Sequence, residues 1–176
     1  FFEIVNVKDF LFEKHWYPIS DPPKFGILPS ILGSIIVTIG AIIISVPIGV
    51  ASTFYIAEVC PSKFKEILKV FIELLASIPS VVLGFIGMVT LVPFVKSLFN
   101  LPTGLTALSG SIMLAFMAMP TIVSIAEDAI NAVPKQYKEG ALALGASKWQ
   151  TMYKVTFVAA APGIFAAVML GVGRVI

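Results

Sequence analysis

The sequence predicts an all-α fold: a polytopic transmembrane helical bundle of about four spans, with one cytoplasmic helical loop. Two observations carry this. Of 176 residues, 58 % are apolar and only 12 % charged, against about 25 % charged in soluble domains. The charges also leave four stretches empty, 25–57, 74–95, 97–126 and 155–173. Each reaches or nearly reaches the roughly 20 residues that a spanning helix needs. A soluble enzyme, a disordered chain and a disulfide scaffold are excluded together. The net charge of +2 gives no reason to expect nucleic-acid binding. A single cysteine, Cys60, allows no internal disulfide.

Residues 1–24 form an outer-face segment of mixed charge and many aromatics, among them Phe1, Phe2, Phe10, Phe12, Trp16 and Tyr17. Two readings stand: a strip lying on the membrane with Trp16 and Tyr17 as interfacial anchors, or a docking surface for an external protein. His15, the one histidine, has no second histidine or thiolate cluster beside it, so no metal site is expected.

The spans are placed at about 28–56, 74–95, 106–126 and 155–176. Pro29 suits the first turn of the first span, and Pro47 is expected to kink or end it. Pro102 and Gly104 delay the third helix to about Thr106, and Pro120 interrupts it. Lysines set the orientation. Segment 58–73 holds Lys63, Lys65 and Lys69, and segment 127–154 holds Lys135, Lys138, Lys148 and Lys154. Lysine and arginine favour the cytoplasmic side, which puts these two segments inside and residues 96–105 outside.

Segment 134–153, PKQYKEGALALGASKWQTMY, is too polar to span. Pro134 suits a helix start. Tyr137, Ala141 and Leu144 then make one stripe at helical spacing. Gly145 suits the left-handed position after a helix end. Ser147 with Gln150 reads as a capping box for a second short helix. Spacing alone leaves two readings open, a plain helical hairpin or an exposed helix that inserts into a groove on a partner.

Polar residues inside the spans are the candidate path residues. Arg174 follows the last apolar stretch. If that helix enters the membrane at Val155, Arg174 lies about 29 Å further on and snorkels at the outer interface. If it enters at Pro162, Arg174 lies about 18 Å in, near the middle of a roughly 30 Å core, where an arginine is by default functional. Ser77 and Ser80 flank Pro79, and Thr121 and Ser124 follow Pro120. Each hydroxyl either bonds back to its own helix or lines a polar path. Glu127 and Asp128 read as an interfacial acidic pair facing Lys135 or Lys138. No Walker loop, zinc-ligand pair or nucleophile–base pair is visible, so no catalytic residue is assigned.

The loop also carries a resemblance. EGALALG at 139–145, followed by an apolar stretch to Pro162, resembles the cytoplasmic "EAA" loop of ABC-importer permeases. It departs from that pattern in Gly140, where alanine is usual, and in Ala161 before Pro162. ELLASIPSVVLG at 73–84, LAFMAMPTIVSIAED at 114–128 and LGVGR at 170–174 resemble the phosphate-specific permeases of the PstC type, from about Trp16 to the last residue. The resemblance implies a type I ABC-importer permease domain over 25–176, with a cytoplasmic coupling loop at 127–154. It implies a membrane subunit of an ATP-driven phosphate importer in a bacterial or archaeal cytoplasmic membrane. The expected partners are a second, PstA-like permease subunit, an ATPase dimer and an extracytoplasmic phosphate-binding protein. The chain itself would bind no cofactor; ATP and Mg would sit on the ATPase. Such permeases usually have about six spans, so at least one more is expected before Phe1 and one after Ile176. The path residues would be Arg174, Ser80, Ser77 and Thr121. The coupling residues would be Glu139, Ala141, Gly145, Leu144 and Tyr137. Two alternatives remain: a permease for another oxyanion such as molybdate or sulfate, and a non-conducting scaffold or sensor subunit.

Overall fold

The computed structural model describes residues 7–17, 19–20 and 24–176. Phe1 and Phe2 lie outside them. The outer segment begins with a short helix, α1 (Val7–Phe12). A two-residue antiparallel pair follows, β1 (Trp16–Tyr17) and β2 (Lys24–Phe25). It is held by an edge-on Trp16–Phe25 contact and a 3.4 Å Lys24–Glu13 ion pair.

The first long helix, α2 (Leu28–Phe54), starts with Pro29 in its first turn. Pro47 lies inside it and does not end it, because membrane helices tolerate the lost donor when neighbours re-satisfy the backbone. A π-turn (Tyr55–Val59) closes α2 through a Cys60 N–H bond to the Tyr55 carbonyl. Next come α3 (Ser62–Ser77) and, after extended residues at Ile78 and Pro79, α4 (Ser80–Ile86). A π-turn (Gly87–Leu91) joins α4 to α5 (Val92–Phe99), making one apolar helix over Ser80–Phe99. Left-handed Asn100 terminates it.

This shifts the second span. The sequence predicts it at 74–95, yet the helix breaks at Ile78. The ring of Pro79 drives the preceding residue out of the α region. Residues 74–77 therefore complete α3, a helix with charged and apolar faces, and the uncharged helix starts at Ser80. Segment 58–73, expected as a connecting loop, is mostly helix, because α3 already starts at Ser62 after Pro61.

Helix α6 (Ala107–Asn131) is the centre of the bundle. Thr106 caps it, its hydroxyl accepting from Ser109 N–H. Pro120 does not interrupt it, and it runs past Glu127 and Asp128 to Asn131. Three short elements follow: α7 (Lys135–Ala143), α8 (Lys148–Thr151) and a π-turn (Met152–Thr156). The last two run into α9 (Phe157–Gly173) without a break, Pro162 included.

Small residues let α2 and α9 close on α6, the packing that membrane helices use. Ala126, Ile130, Val133, Ala160, Ile164 and Ala167 form one buried cluster, and Ala41, Ala115, Ala118, Ile122 and Val175 another. Ser111 donates to the Val37 carbonyl at 3.0 Å, and a Cβ on Gly40 would collide with Ser111 Oγ. Gly49 faces Ile122, so α2 and α6 run parallel and in step. In α9 the order reverses. Gly163 faces Ala129 and Gly171 faces Ile122, and a Cβ at either glycine would collide with that neighbour. Residue 163 is thus level with the Asn131 end of α6. Outward-facing Ile31, Ile35, Ile39 and Ile43 leave α2 an apolar face suited to lipid or another helix.

Candidate functional site

Arg174 caps α9 and ties three helices together. One guanidinium nitrogen donates to Thr121 Oγ1 at 2.8 Å, the other to the Ala76 carbonyl at 3.0 Å. Thr121 follows Pro120 in α6. It lies 10 residues, about 15 Å, from Asn131 and 14 residues, about 21 Å, from Ala107. Arg174 is therefore near mid-length of the central helix. Of the two depths the sequence left open, this registry matches the one counted from Pro162, since Gly163 sits level with the inner end of α6.

The Ala76 carbonyl belongs to the last turn of α3, whose final carbonyls lack helical partners and gather negative partial charge. The Pro79 break ends α3 at that depth. The other two sequence candidates flank this break. Ser77 spends its hydroxyl on the Leu74 carbonyl at 2.7 Å, which is the bond back to its own helix. Ser80 is exposed at the start of α4, and its hydroxyl makes no hydrogen bond among the described residues. The structure thus joins Arg174 to Thr121 directly and leaves Ser77 and Ser80 beside them, unengaged with the arginine.

A second polar centre lies two to three turns nearer the Asn131 end. Glu127 is 2 % exposed. Its carboxylate faces Lys65 at 3.3 Å and Lys69 at 3.7 Å and accepts from Asn131 Nδ2 at 3.1 Å. Lys65 also donates to Asn131 Oδ1, and Lys69 pairs with Asp128 at 3.3 Å. The expected partners Lys135 and Lys138 are not involved. Lys138 pairs instead with Glu58 in the π-turn that ends α2, because α7 folds back under that end. Sequence reasoning missed the Lys65–Glu127 match. Its signal was present: Lys65 and Lys69 repeat every four residues on α3, and Glu127 and Asn131 repeat every four on α6. Burial acts to lower the pKa of Lys69, but the charges of Glu127, Asp128 and Glu73 and its hydrogen bond to Asp128 outweigh that and raise it.

The short helices present the third feature. Tyr137, Glu139, Leu142 and Leu144 are exposed and Ala141 is half-buried, with Leu144 at 91 %. Gly145 has φ +83°, and a Cβ at that position would have no neighbour within 4 Å. The glycine therefore serves the turn and fills no contact. The capping box of Ser147 and Gln150 is present in both directions. Lys138 on Glu58 braces this unit against α2 while its tip points away from the bundle.

A family model described as "Binding-protein-dependent transport system inner membrane component" matches residues 45–176. "Probable ABC transporter permease protein YqgH" of Bacillus subtilis is 45 % identical, covering 97 % of this chain and 55 % of that protein. "Phosphate transport system permease protein PstC" is 33 % identical in Mesorhizobium japonicum, over 94 % of this chain and 56 % of the relative. In Haemophilus influenzae it is 32 % identical, over 94 % and 58 %. The chain thus spans a little over half the length of these curated relatives. A solved chain of the MetNI methionine ABC transporter, inward facing, is similar in fold, with a TM-score of 0.62 at 21 % identity. That match covers 85 % of this chain and 68 % of the other.

Proposed function

From the premise that this chain belongs to the family of binding-protein-dependent transport system inner membrane components, we propose that it is a permease subunit of an ATP-driven phosphate importer. The family is one of integral membrane transport subunits rather than catalytic enzymes. The phosphate assignment draws its support from the PstC relatives and from one structural observation. Arg174, near mid-length of the bundle, directs its donors at two neutral oxygens. An arginine at that depth costs at least about 2.5 kcal/mol to insert. Hydrogen bonds to a hydroxyl and a carbonyl satisfy its donors without neutralising its charge. A phosphate dianion would accept the same fork of N–H donors with full charge. Thr121 would then turn its hydroxyl to a phosphate oxygen, and Ser77 and Ser80 would line the approach.

In this reading α7 is the coupling helix. Tyr137, Glu139, Ala141 and Leu144 dock on the ATPase, and Gly145 makes the turn that keeps the docked tip free of α8. Closure of the ATPase around ATP and Mg pulls on α7. Its base, fixed to α2 through Lys138 and Glu58, carries the motion to the spans. A PstA-like second permease, an ATPase dimer and an extracytoplasmic binding protein complete the importer in the cytoplasmic membrane.

The test reconstitutes the full-length protein with its partner permease, ATPase and binding protein in liposomes. ATP hydrolysis is followed with phosphate, sulfate or molybdate supplied. Stimulation by phosphate alone is expected. Stimulation by another oxyanion would replace the substrate and keep the importer. No stimulation in an assembled complex would favour a scaffold or sensor subunit. Gly145→Val, strained by about 1–2 kcal/mol at a positive φ, should leave ATP hydrolysis running while transport falls.

A further inference from the structure

Where α2 ends and the fourth span begins, two contiguous hollows meet. The first is a groove of about 590 Å³ between α2 and the α8–α9 junction, lined by Val46, Pro47, Val50, Phe54, Phe157 and neighbours. The second, about 490 Å³, is lined by Glu58, Lys138, Lys148 and Thr151. Val59, Trp149 and Met152 line both. The apolar part follows α2 and its π-turn from residue 46 to residue 59, just under 20 Å at about 1.5 Å per residue. One leaflet of a roughly 30 Å hydrocarbon core is about 15 Å deep. The groove therefore runs from near mid-membrane to the interface, on the side the lysine pattern makes cytoplasmic.

The polar end has the chemistry of an anion site. Glu58 is neutralised by Lys138. Lys148 makes no ion pair among the described residues, which leaves one net positive charge in the hollow. Thr151 is 5 % exposed and its hydroxyl has no hydrogen-bond partner, although buried hydroxyls are ordinarily satisfied. Trp149 stacks on Tyr153 with ring centres 6.1 Å apart, and both are more than half exposed, as aromatics at a membrane interface are.

We propose that this composite hollow binds an anionic phospholipid of the cytoplasmic leaflet, with its headgroup phosphate at Lys148 and Thr151 and an acyl chain along the Val46–Val59 face of α2 and its π-turn. A free phosphate ion would satisfy Lys148 and leave the apolar groove empty. A lipid fills both, and basic pockets between spanning helices on this side take anionic headgroups.

The experiment uses the complete assembled transporter in nanodiscs. Phosphatidylglycerol and phosphatidylcholine, each with the same photoreactive acyl chain, are crosslinked and the labelled peptides mapped. Peptides 46–59 and 148–157 should be labelled about fivefold more by phosphatidylglycerol, the factor one lysine near an anionic surface supplies. Lys148→Glu should erase that preference. Ala51→Trp, at an exposed groove position, should block labelling by either lipid while the complex stays assembled. Excess glycerol phosphate, a soluble headgroup, should change nothing. Equal labelling by the two lipids, displacement by glycerol phosphate, or no labelling because a partner helix covers the groove would each overturn the proposal.

Discussion

The two polar centres of the bundle treat charge in opposite ways. Around Glu127, two lysines meet two carboxylates, and Asn131 accepts from one lysine and donates to the buried acid. Charge and hydrogen bonds both close. Around Arg174 they do not. The guanidinium faces a hydroxyl and a carbonyl, and no carboxylate partners it among the described residues. A closed cluster holds α3 against α6 and has nothing left to offer. An arginine with only neutral partners near mid-length of a membrane bundle keeps its charge uncompensated, which is what the proposed role in phosphate binding requires. The same two helices thus carry a fastener near one end and, at the middle, the neutral acceptors that hold the open cation of α9.

The largest expected effect comes from removing the open charge. Arg174→Gln should lower phosphate transport by about 10- to 100-fold, the range lost with a hydrogen bond to a charged group, while the complex still assembles. Arg174→Lys should restore only part, since an ammonium cannot reproduce the planar fork. The measurement is phosphate uptake by the reconstituted transporter. Normal uptake by Arg174→Gln would remove the arginine from the path and break the contrast between the two centres.

Removing the closed charge should act on stability instead. Glu127→Gln leaves Lys65 without its ion pair and Lys69 with Asp128 alone. The loss should be about 1–3 kcal/mol, visible as a lower Tm of the purified complex. Both lysines are partly exposed and can turn toward water, which keeps the effect below that of a fully buried pair. Uptake per assembled complex should change far less than for Arg174→Gln. A transport defect as deep as that of Arg174→Gln, with unchanged Tm, would make the cluster part of the path.

How much of this was legible in the sequence follows from the range of each interaction. Four apolar helices, the Thr106 start, the Ser147–Gln150 box and the left-handed Gly145 depend on neighbours a few residues apart, and the residues announce them. Helix bounds near prolines were harder. Pro47, Pro120 and Pro162 all sit inside continuous helices, whereas Pro79 breaks one. Sequence alone does not say which freed carbonyl a neighbouring helix will satisfy; for the Pro79 break, part of that answer is Arg174 on Ala76. The cluster was misassigned because Lys138 is near Glu127 in sequence while Lys65 is near it in space. Arg174 stood out from its surroundings, but its partners depended on the registry of α6 and α9, set by glycines at 163 and 171.

Thr121→Val tests the shared oxygen. It keeps shape but removes the acceptor that Arg174 uses at 2.8 Å. The donor is a charged guanidinium that keeps its second bond to Ala76, so the loss should sit at the low end for a bond to a charged group, about 1.5 kcal/mol or tenfold in uptake, with Thr121→Ser near wild type. Equal loss in the valine and serine variants would point to packing beneath Pro120 rather than to the hydroxyl.

The smallest effect is expected from pH, and its absence is informative. The pKa of Lys69 lies above the ordinary lysine value of 10.5, because Glu127, Asp128 and Glu73 outweigh its desolvation. A group whose pKa is raised by folding contributes stability that is fully present below its unfolded pKa. That contribution is lost only as pH climbs through the folded value. The Tm difference between the wild-type complex and Lys69→Met should therefore stay constant from about pH 6 to pH 9 and shrink only in strong alkali. Phosphate uptake over the same range is free to vary, since phosphate itself titrates near neutrality while Lys69 does not. A Tm difference that declined below pH 9 would mean that the lysine is held less firmly than its three facing carboxylates imply.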